Sequence, residues 1–338
     1  MIGVRFLENE RNIETVLVTV PYTGWHLEKL RNAFAPAKFI QLNKDDTVGI
    51  AKALKEADVA ILQGDVSEQI MEGSKLRWIH CDHAGINLSA RPEVFERGLL
   101  LTGSAGRSGP VLAEHIFFLT LSLIYNSHGL HDAQKSHIWG GIPGYEDRRG
   151  LYSKTMGIIG MGYTGKELAM RAKAFGMRVL GYRRSVTEVP AGVDKLFCSD
   201  RGENIYELLK ESDVVVLSIR LSDETYHLIG ERELKLMKST AFLINMARGH
   251  VVDENALVTA LRDGIIGGAG FDTFEQEPLP ADSPIWDAPN MVITPHCTPE
   301  MPDLVARSLD IICENVKRYR QGKPLLNALV PRDVYTKG

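Results

Sequence analysis

The chain is short of the features that mark special environments. Four cysteines stand among its 338 residues, at 81, 198, 297 and 313, with no C-x-x-C pair. Free thiols in a reducing compartment are therefore the expected state. No stretch gathers lysine and arginine, and the formal net charge is -4. That excludes the basic density a nucleic-acid backbone requires, so no nucleic-acid partner is expected. The longest apolar run, 116–123, is too short and too mixed to span a membrane, and no membrane association is expected. Residues 1–10 lack the basic-then-apolar layout of a secretory signal, so cytoplasm is the expected location. No H-E-x-x-H occurs, and His80, His83, His115, His128, His131 and His137 are scattered. His128, His131 and Asp132 can share a helical face, but no metal is expected. Repeats and low-complexity tracts are also missing. What is present is an ordinary globular composition, 44% hydrophobic and 24% charged. A chain of this length outgrows a single core, and two domains are expected.

Strand-like and helix-like segments alternate along most of the chain. Strands are read at 13–20, 39–41, 59–62, 76–81 and 99–102, with helices at 25–34 and 48–55. Residues 104–110, small and glycine-rich, read as a linker. A long helix follows over 111–132, apolar on more than one side, so it is expected to be buried against another domain or subunit. A loop covers 139–150. Alternation resumes with strands at 156–159, 177–181, 193–197, 214–218, 241–244, 265–270 and 291–293. Helices lie between them at 164–175, 203–210, 231–236 and 253–261. A last helix, 302–319, is expected to return to the first domain, and 324–338 is an irregular tail. The fold class this predicts is α/β, two doubly wound parallel-sheet domains, one inserted into the other. The expected boundaries are 1–104 with 298–338, and 105–297.

The glycines of Gly157-Ile158-Ile159-Gly160-Met161-Gly162-Tyr163-Thr164-Gly165 fall where a strand turns into a helix. A tight turn lets the backbone approach a pyrophosphate, and the first helical amides cradle it. Gly160, Gly162, Tyr163, Thr164 and Gly165 are thus assigned to a dinucleotide. Flavins and adenosyl groups use similar glycines, and a turn that binds nothing is the bland alternative. The next strand ends in Tyr182-Arg183-Arg184-Ser185 rather than in an acid. A carboxylate there would hold the ribose 2′-OH of NAD, whereas Arg183, Arg184 and Ser185 suit a 2′-phosphate. NADP(H) is favoured, with NAD(H) possible; two solvated arginines are the plain alternative.

Three further strands run into polar residues. The strand at 241–244 leads to Arg248, that at 265–270 to Asp272 and Glu277, and that at 291–293 to His296. Residues just past the carboxyl ends of a parallel sheet line its ligand crevice. There Arg248 can clamp a substrate carboxylate, and His296 can exchange a proton with a carbonyl oxygen. Glu277 can hold the far nitrogen of His296. Asp272 is assigned to the cofactor. Singly, these residues have ordinary uses as a strand cap, a solvated acid and a packed turn residue; together they make a set for moving hydride and proton.

With these segments in view, the sequence resembles the D-isomer-specific 2-hydroxyacid dehydrogenase family. The resemblance lies in Ile244-Asn245-Met246-Ala247-Arg248-Gly249-His250-Val251-Val252-Asp253-Glu254, in Ala269-Gly270-Phe271-Asp272-Thr273-Phe274-Glu275-Gln276-Glu277-Pro278-Leu279-Pro280, and in Thr294-Pro295-His296. It extends to Val111-Leu112-Ala113-Glu114-His115 and to Ala84-Gly85-Ile86. It implies Arg248, Glu277 and His296 as the catalytic trio, and backbone amides of Ala84, Gly85 and Ile86 on the substrate carboxylate. It also implies a Rossmann cofactor domain inserted into a smaller, flavodoxin-like substrate domain, a cleft closing through hinges at 103–109 and 294–300, and a homodimer. A glyoxylate-, hydroxypyruvate- or bulkier keto-acid reductase is the expected activity. Oxidation of formate, phosphite or a phosphorylated hydroxy acid, and a corepressor-like dinucleotide sensor, are the alternatives.

The chain departs from the family in three places. The acid after the second cofactor strand is absent. Arg220 stands where a proline is common, and either meets the cofactor phosphates or faces water. Cys297-Thr298-Pro299 replaces the usual glycines, which would narrow the pocket or alter closure. Trp139 and Tyr145 are read as candidates to reach the substrate from a partner subunit.

Overall fold

Four-residue apolar runs such as Val59–Leu62 and Val214–Leu217 are buried along their whole length, as central strands covered on both faces must be. The computed structural model describes residues 11–140, 145, 146, 148, 150–186, 188–298 and 300–337. Residues 1–10, read above for a signal, parts of the 139–150 loop, Pro299 among the departures and Gly338 of the tail lie outside the described residues.

In chain order come β1 (Thr15–Val18), α1 (Gly24–Phe34), β2 (Lys38–Gln41), α2 (Thr47–Ala53), β3 (Val59–Leu62), α3 (Glu68–Met71), β4 (Trp78–Cys81), α4 (Pro92–Glu96) and β5 (Leu100–Gly103). They are followed by α5 (Gly109–Ile124), α6 (Ser127–Lys135), β6 (Thr155–Ile159), α7 (Tyr163–Ala174), β7 (Arg178–Arg183), β8 (Lys195–Cys198), α8 (Tyr206–Glu211) and β9 (Val214–Leu217). The last elements are α9 (Glu231–Leu236), β10 (Phe242–Asn245), α10 (Glu254–Arg262), β11 (Gly268–Phe271), β12 (Met291–Ile293) and α11 (Leu304–Arg320). The chain divides into two units, Met1–Arg107 with Met301–Gly338, and Ser108–Glu300.

Each unit is built on one parallel sheet. In the first, five strands run β2-β1-β3-β4-β5. In the second, seven strands run β12-β11-β10-β9-β6-β7-β8. The winding reverses between β1 and β3 and between β6 and β9, the switch points beside which such sheets hold ligands at their carboxyl ends. Both are α/β doubly wound sheets, one in the flavodoxin-like order and one in the Rossmann order extended by a strand. In the first unit Trp78, Phe34 and Tyr319 pack on one face, while Ile79, Leu17 and Leu101 pack on the other. The second unit's core joins Ile116 and Leu119 of α5 to Ile158, Val216 and Ile244 of the sheet and Leu168 of α7.

The long helix expected over 111–132 is broken. Asn126 takes a left-handed conformation (φ 49°), and its side chain accepts the Gly129 amide at 3.3 Å, capping α6 as a new helix. Arg148 donates to the carbonyls of Leu123 and Ile124 at 3.2 and 2.9 Å, satisfying the end of α5. The helix after the break, α6, is polar and has no buried residue, so the apolar stretch ends with α5. The buried side chains of α5 pack within their own unit, while Phe118 and Tyr125 are exposed. The linker read at 104–110 ends early, since Gly109 and Pro110 form the first turn of α5, where proline lacks no hydrogen bond it needs. β7 runs on to Arg183, two residues past the bound of 181 and within the Tyr182–Ser185 segment read as its end.

Candidate active site

Three adjacent strands deliver the polar residues of the second unit. Asn245 of β10 pairs with Phe271 of β11, and Phe271 pairs with Ile293 of β12. Arg248, Asp272 and His296 leave these three strands just beyond that row, at one edge of the sheet, where neighbouring strands lie about 4.8 Å apart. Glu277 comes back from the same loop as Asp272. Its Oε2 lies 2.7 Å from His296 Nδ1, and its Oε1 accepts the amide of Phe274 at 2.9 Å. The carboxylate is therefore held by its own loop and holds one ring nitrogen, leaving Nε2 as the group for proton exchange. The His296 side chain is half exposed and its backbone is left-handed (φ 49°). That conformation is uncommon outside glycine and asparagine.

Arg248 sits in extended backbone at the mouth of a short 3₁₀ turn. Asn245 braces the segment, donating to the Arg248 carbonyl at 3.1 Å and accepting the Ala247 amide at 3.0 Å. Gly249 lets this segment lie on the acid-bearing loop: a Cβ there would come within 1.8 Å of the Phe274 carbonyl carbon. Only hydrogen fits, so the arginine and glutamate segments are pressed together.

A second set of acids lies behind the pair. Glu254, first residue of α10, accepts the Glu275 amide at 2.7 Å, and Glu275 meets His227 Nε2 at 2.9 Å. Burial pushes the Glu254 carboxyl from 4.5 up to about 7; the Glu275 amide opposes this and the charges of Glu275 and Glu277 add to it. Sequence reading missed this residue, although Glu254 closes the quoted arginine segment. The folded state binds this proton more tightly than the unfolded chain does. Its stabilising contribution is thus complete below about pH 4.5 and lost as pH rises through about 7. Glu254→Gln cannot ionise and is expected to flatten the decline of Tm across that window; an unchanged slope would refute the assignment.

At the switch point, Gly160 takes φ 110°, and a Cβ there would sit 2.3 Å from the Ser218 carbonyl oxygen. Ser218 Oγ donates to the Gly160 carbonyl at 2.9 Å, tying the turn to the end of β9. A Cβ on Gly162 would meet nothing within 4 Å, so open space lies over the turn. No side chain caps α7, whose opening residues are Tyr163, Thr164 and Gly165. Uncapped helix amides beside open space fit an anionic group of a dinucleotide. Arg183 ends β7, Arg184 follows with a guanidinium nitrogen 3.8 Å from the Glu224 carboxylate, and Ser185 is exposed. The Arg220 carbonyl accepts Thr225 Oγ1 at 2.7 Å, closing the loop that carries Glu224.

In the first unit, Ala84 is exposed, Gly85 has φ 73°, and the Ile86 side chain is buried, so Ile86 can offer a ligand only its backbone. His80 is a core residue: its ring nitrogens lie 2.9 and 3.0 Å from Thr102 Oγ1 and Ser104 Oγ, and burial pushes its pKa down to about 3. Among the described residues no group of three or more His, Cys, Asp or Glu could hold a metal, and no helix is long and apolar enough to cross a membrane.

Open helix amides at a switch point, with a carboxylate-held imidazole farther along the same sheet edge, suit the dehydrogenases that work with a bound dinucleotide. The model of the family described as "D-isomer specific 2-hydroxyacid dehydrogenase, NAD binding domain" matches residues 117–298. A glyoxylate reductase of Korarchaeum cryptofilum is 34% identical over 286 residues, covering 81% of this chain and 83% of that protein. The structure of a D-isomer specific 2-hydroxyacid dehydrogenase family protein from Aeromonas salmonicida subsp. salmonicida A449 superposes with a TM-score of 0.75 at 31% identity, covering 94% and 99% of the two chains. That of a D-isomer specific 2-hydroxyacid dehydrogenase from Xanthobacter autotrophicus Py2, in complex with NADPH and MES, gives 0.77 at 25% identity, covering 95% and 99%. The chain belongs to the D-isomer specific 2-hydroxyacid dehydrogenase family and is an NAD(P)-dependent dehydrogenase.

Proposed function

We propose that the protein reduces a small 2-keto acid, of the size of glyoxylate or hydroxypyruvate, to the D-2-hydroxy acid, with NADPH favoured over NADH. The observation that carries this reading is the 2.7 Å contact of Glu277 with His296 at the strand ends beside Arg248. Gly160, Gly162 and the amides of Tyr163, Thr164 and Gly165 would hold the pyrophosphate, and Arg183, Arg184 and Ser185 the adenosine end, with Arg220 nearby. A bound reduced nicotinamide supplies a hydride. The protein supplies the rest: Arg248 binds the carboxylate and polarises the keto oxygen, and His296 gives that oxygen its proton from Nε2. Glu277 keeps the ring turned for that transfer. Backbone amides of Ala84, Gly85 and Ile86 would share the carboxylate, and Asp272 would serve on the cofactor side by fixing the turn next to it.

The deciding experiment offers NADPH and NADH across a panel of 2-keto acids and follows the near-ultraviolet absorbance of the reduced ring. Turnover of small keto acids is the expected result. Coenzyme binding with no turnover of any of them would leave a dinucleotide sensor instead. For the coenzyme choice, the double variant Arg183→Ala with Arg184→Ala is expected to raise the NADPH KM about 10- to 100-fold, the worth of charge-assisted bonds to a phosphate, and to spare NADH. Equal loss with both coenzymes would refute a 2′-phosphate site.

Phe118, Tyr125 and Trp139 are exposed at 55%, 48% and 103%. This aromatic surface supports a homodimer through the second unit, which sedimentation of the wild type and of Phe118→Asp would test.

A further inference from the structure

The turn that presents His296 rests on a buried polar cluster. Asp272, 2% exposed, accepts Thr294 Oγ1 at 2.6 Å and the Cys297 amide at 3.1 Å on Oδ1, and Thr298 Oγ1 at 3.2 Å on Oδ2. His115 of α5, 7% exposed, approaches the same two hydroxyls from the other side. Its Nε2 lies 3.1 Å from Thr294 Oγ1 and its Nδ1 lies 2.9 Å from Thr298 Oγ1. Nε2 is also 3.9 Å from Asp272 Oδ1. The Phe118 ring lies beside it, 5.7 Å away between centroids.

Three donors converge on the Asp272 carboxylate, and the two threonine hydroxyls lie between it and the His115 ring. The two buried side chains thus hold these hydroxyls from opposite sides, out of water. What they grip is specific. Thr294, Cys297 and Thr298 bracket His296, the residue whose left-handed backbone has to be imposed by its surroundings.

We propose that His115 and Thr298 are positioning residues that lock the 294–298 turn and so aim the His296 imidazole. Neither touches the reacting atoms; both act through the turn. The proposal rests on the reading of His296 as the proton donor.

The test compares Thr298→Val, Thr298→Ser, His115→Leu and His296→Gln in the full-length protein. It measures kcat, KM and NADPH affinity. Thr298→Val and His115→Leu are expected to lower kcat about 10- to 100-fold, as small misplacements of a reacting group do, without weakening NADPH binding. Thr298→Ser keeps the hydroxyl and is expected to restore kcat. Equal kcat in Thr298→Val and Thr298→Ser would overturn the proposal. If His115→Leu does not fold, the valine–serine pair at 298 still decides. Should His296→Gln itself turn over normally, the proton-donor reading fails; should it be inactive while Thr298→Val and His115→Leu are not, the failure is confined to the positioning claim.

Discussion

Replacing His296 with glutamine is expected to lower turnover by about 100- to 10,000-fold, the range for removing a general acid. Glutamine can still hydrogen-bond the Glu277 carboxylate, which lies 2.7 Å from the present ring. It has no proton to transfer, so shape is largely conserved and chemistry is lost. The ring is half exposed and makes no part of either core, so the melting temperature and NADPH affinity should hold. Glu277→Gln should be milder, because it spoils the orientation of the ring and leaves the ring itself. Ordinary turnover in purified His296→Gln would remove the residue from the mechanism.

The second large effect is expected at Arg248. Arg248→Lys keeps the charge but exchanges a planar fork for a compact ammonium that cannot take a carboxylate bidentately. A loss of about 100- to 1,000-fold in kcat/KM is expected, as for deletion of a preorganised donor at a developing oxyanion. The backbone brace from Asn245 and the contact of Gly249 with Phe274 do not involve the guanidinium, so the variant should fold. Adding guanidinium to Arg248→Ala should restore part of the rate. If Arg248→Lys keeps wild-type kcat/KM, the carboxylate clamp lies elsewhere.

Particular residues show why some features were legible and others were not. Val59–Leu62 and Val214–Leu217 are apolar throughout and bounded by polar turns, so their strands could be read directly. α3 and α4 span 4 and 5 residues, too short to display a helical period, and were not read at all. The break at Asn126 depends on one backbone conformation and one side-chain cap at the end of an apolar stretch. Thr298 was visible as a departure after His296, but nothing near it in the chain says that His115 receives it. Glu254 was not singled out in the chain, because the burial and the charges of Glu275 and Glu277 that raise its affinity for a proton arise only in the fold.

What the amino-acid order determined alone is whatever depends on neighbours in the chain: the strand–helix rhythm, the glycine turn at 160–165 with its basic pair a helix and a strand further on, and the family segments around Arg248, Glu277 and His296. Tertiary structure decided which polar groups meet. His115 reaches Thr294 and Thr298 across 179 and 183 positions, and His296 reaches Glu277 across 19. Propensity and periodicity act within a few residues, whereas these bonds exist only once the sheet has laid the ends of β11 and β12 side by side under α5.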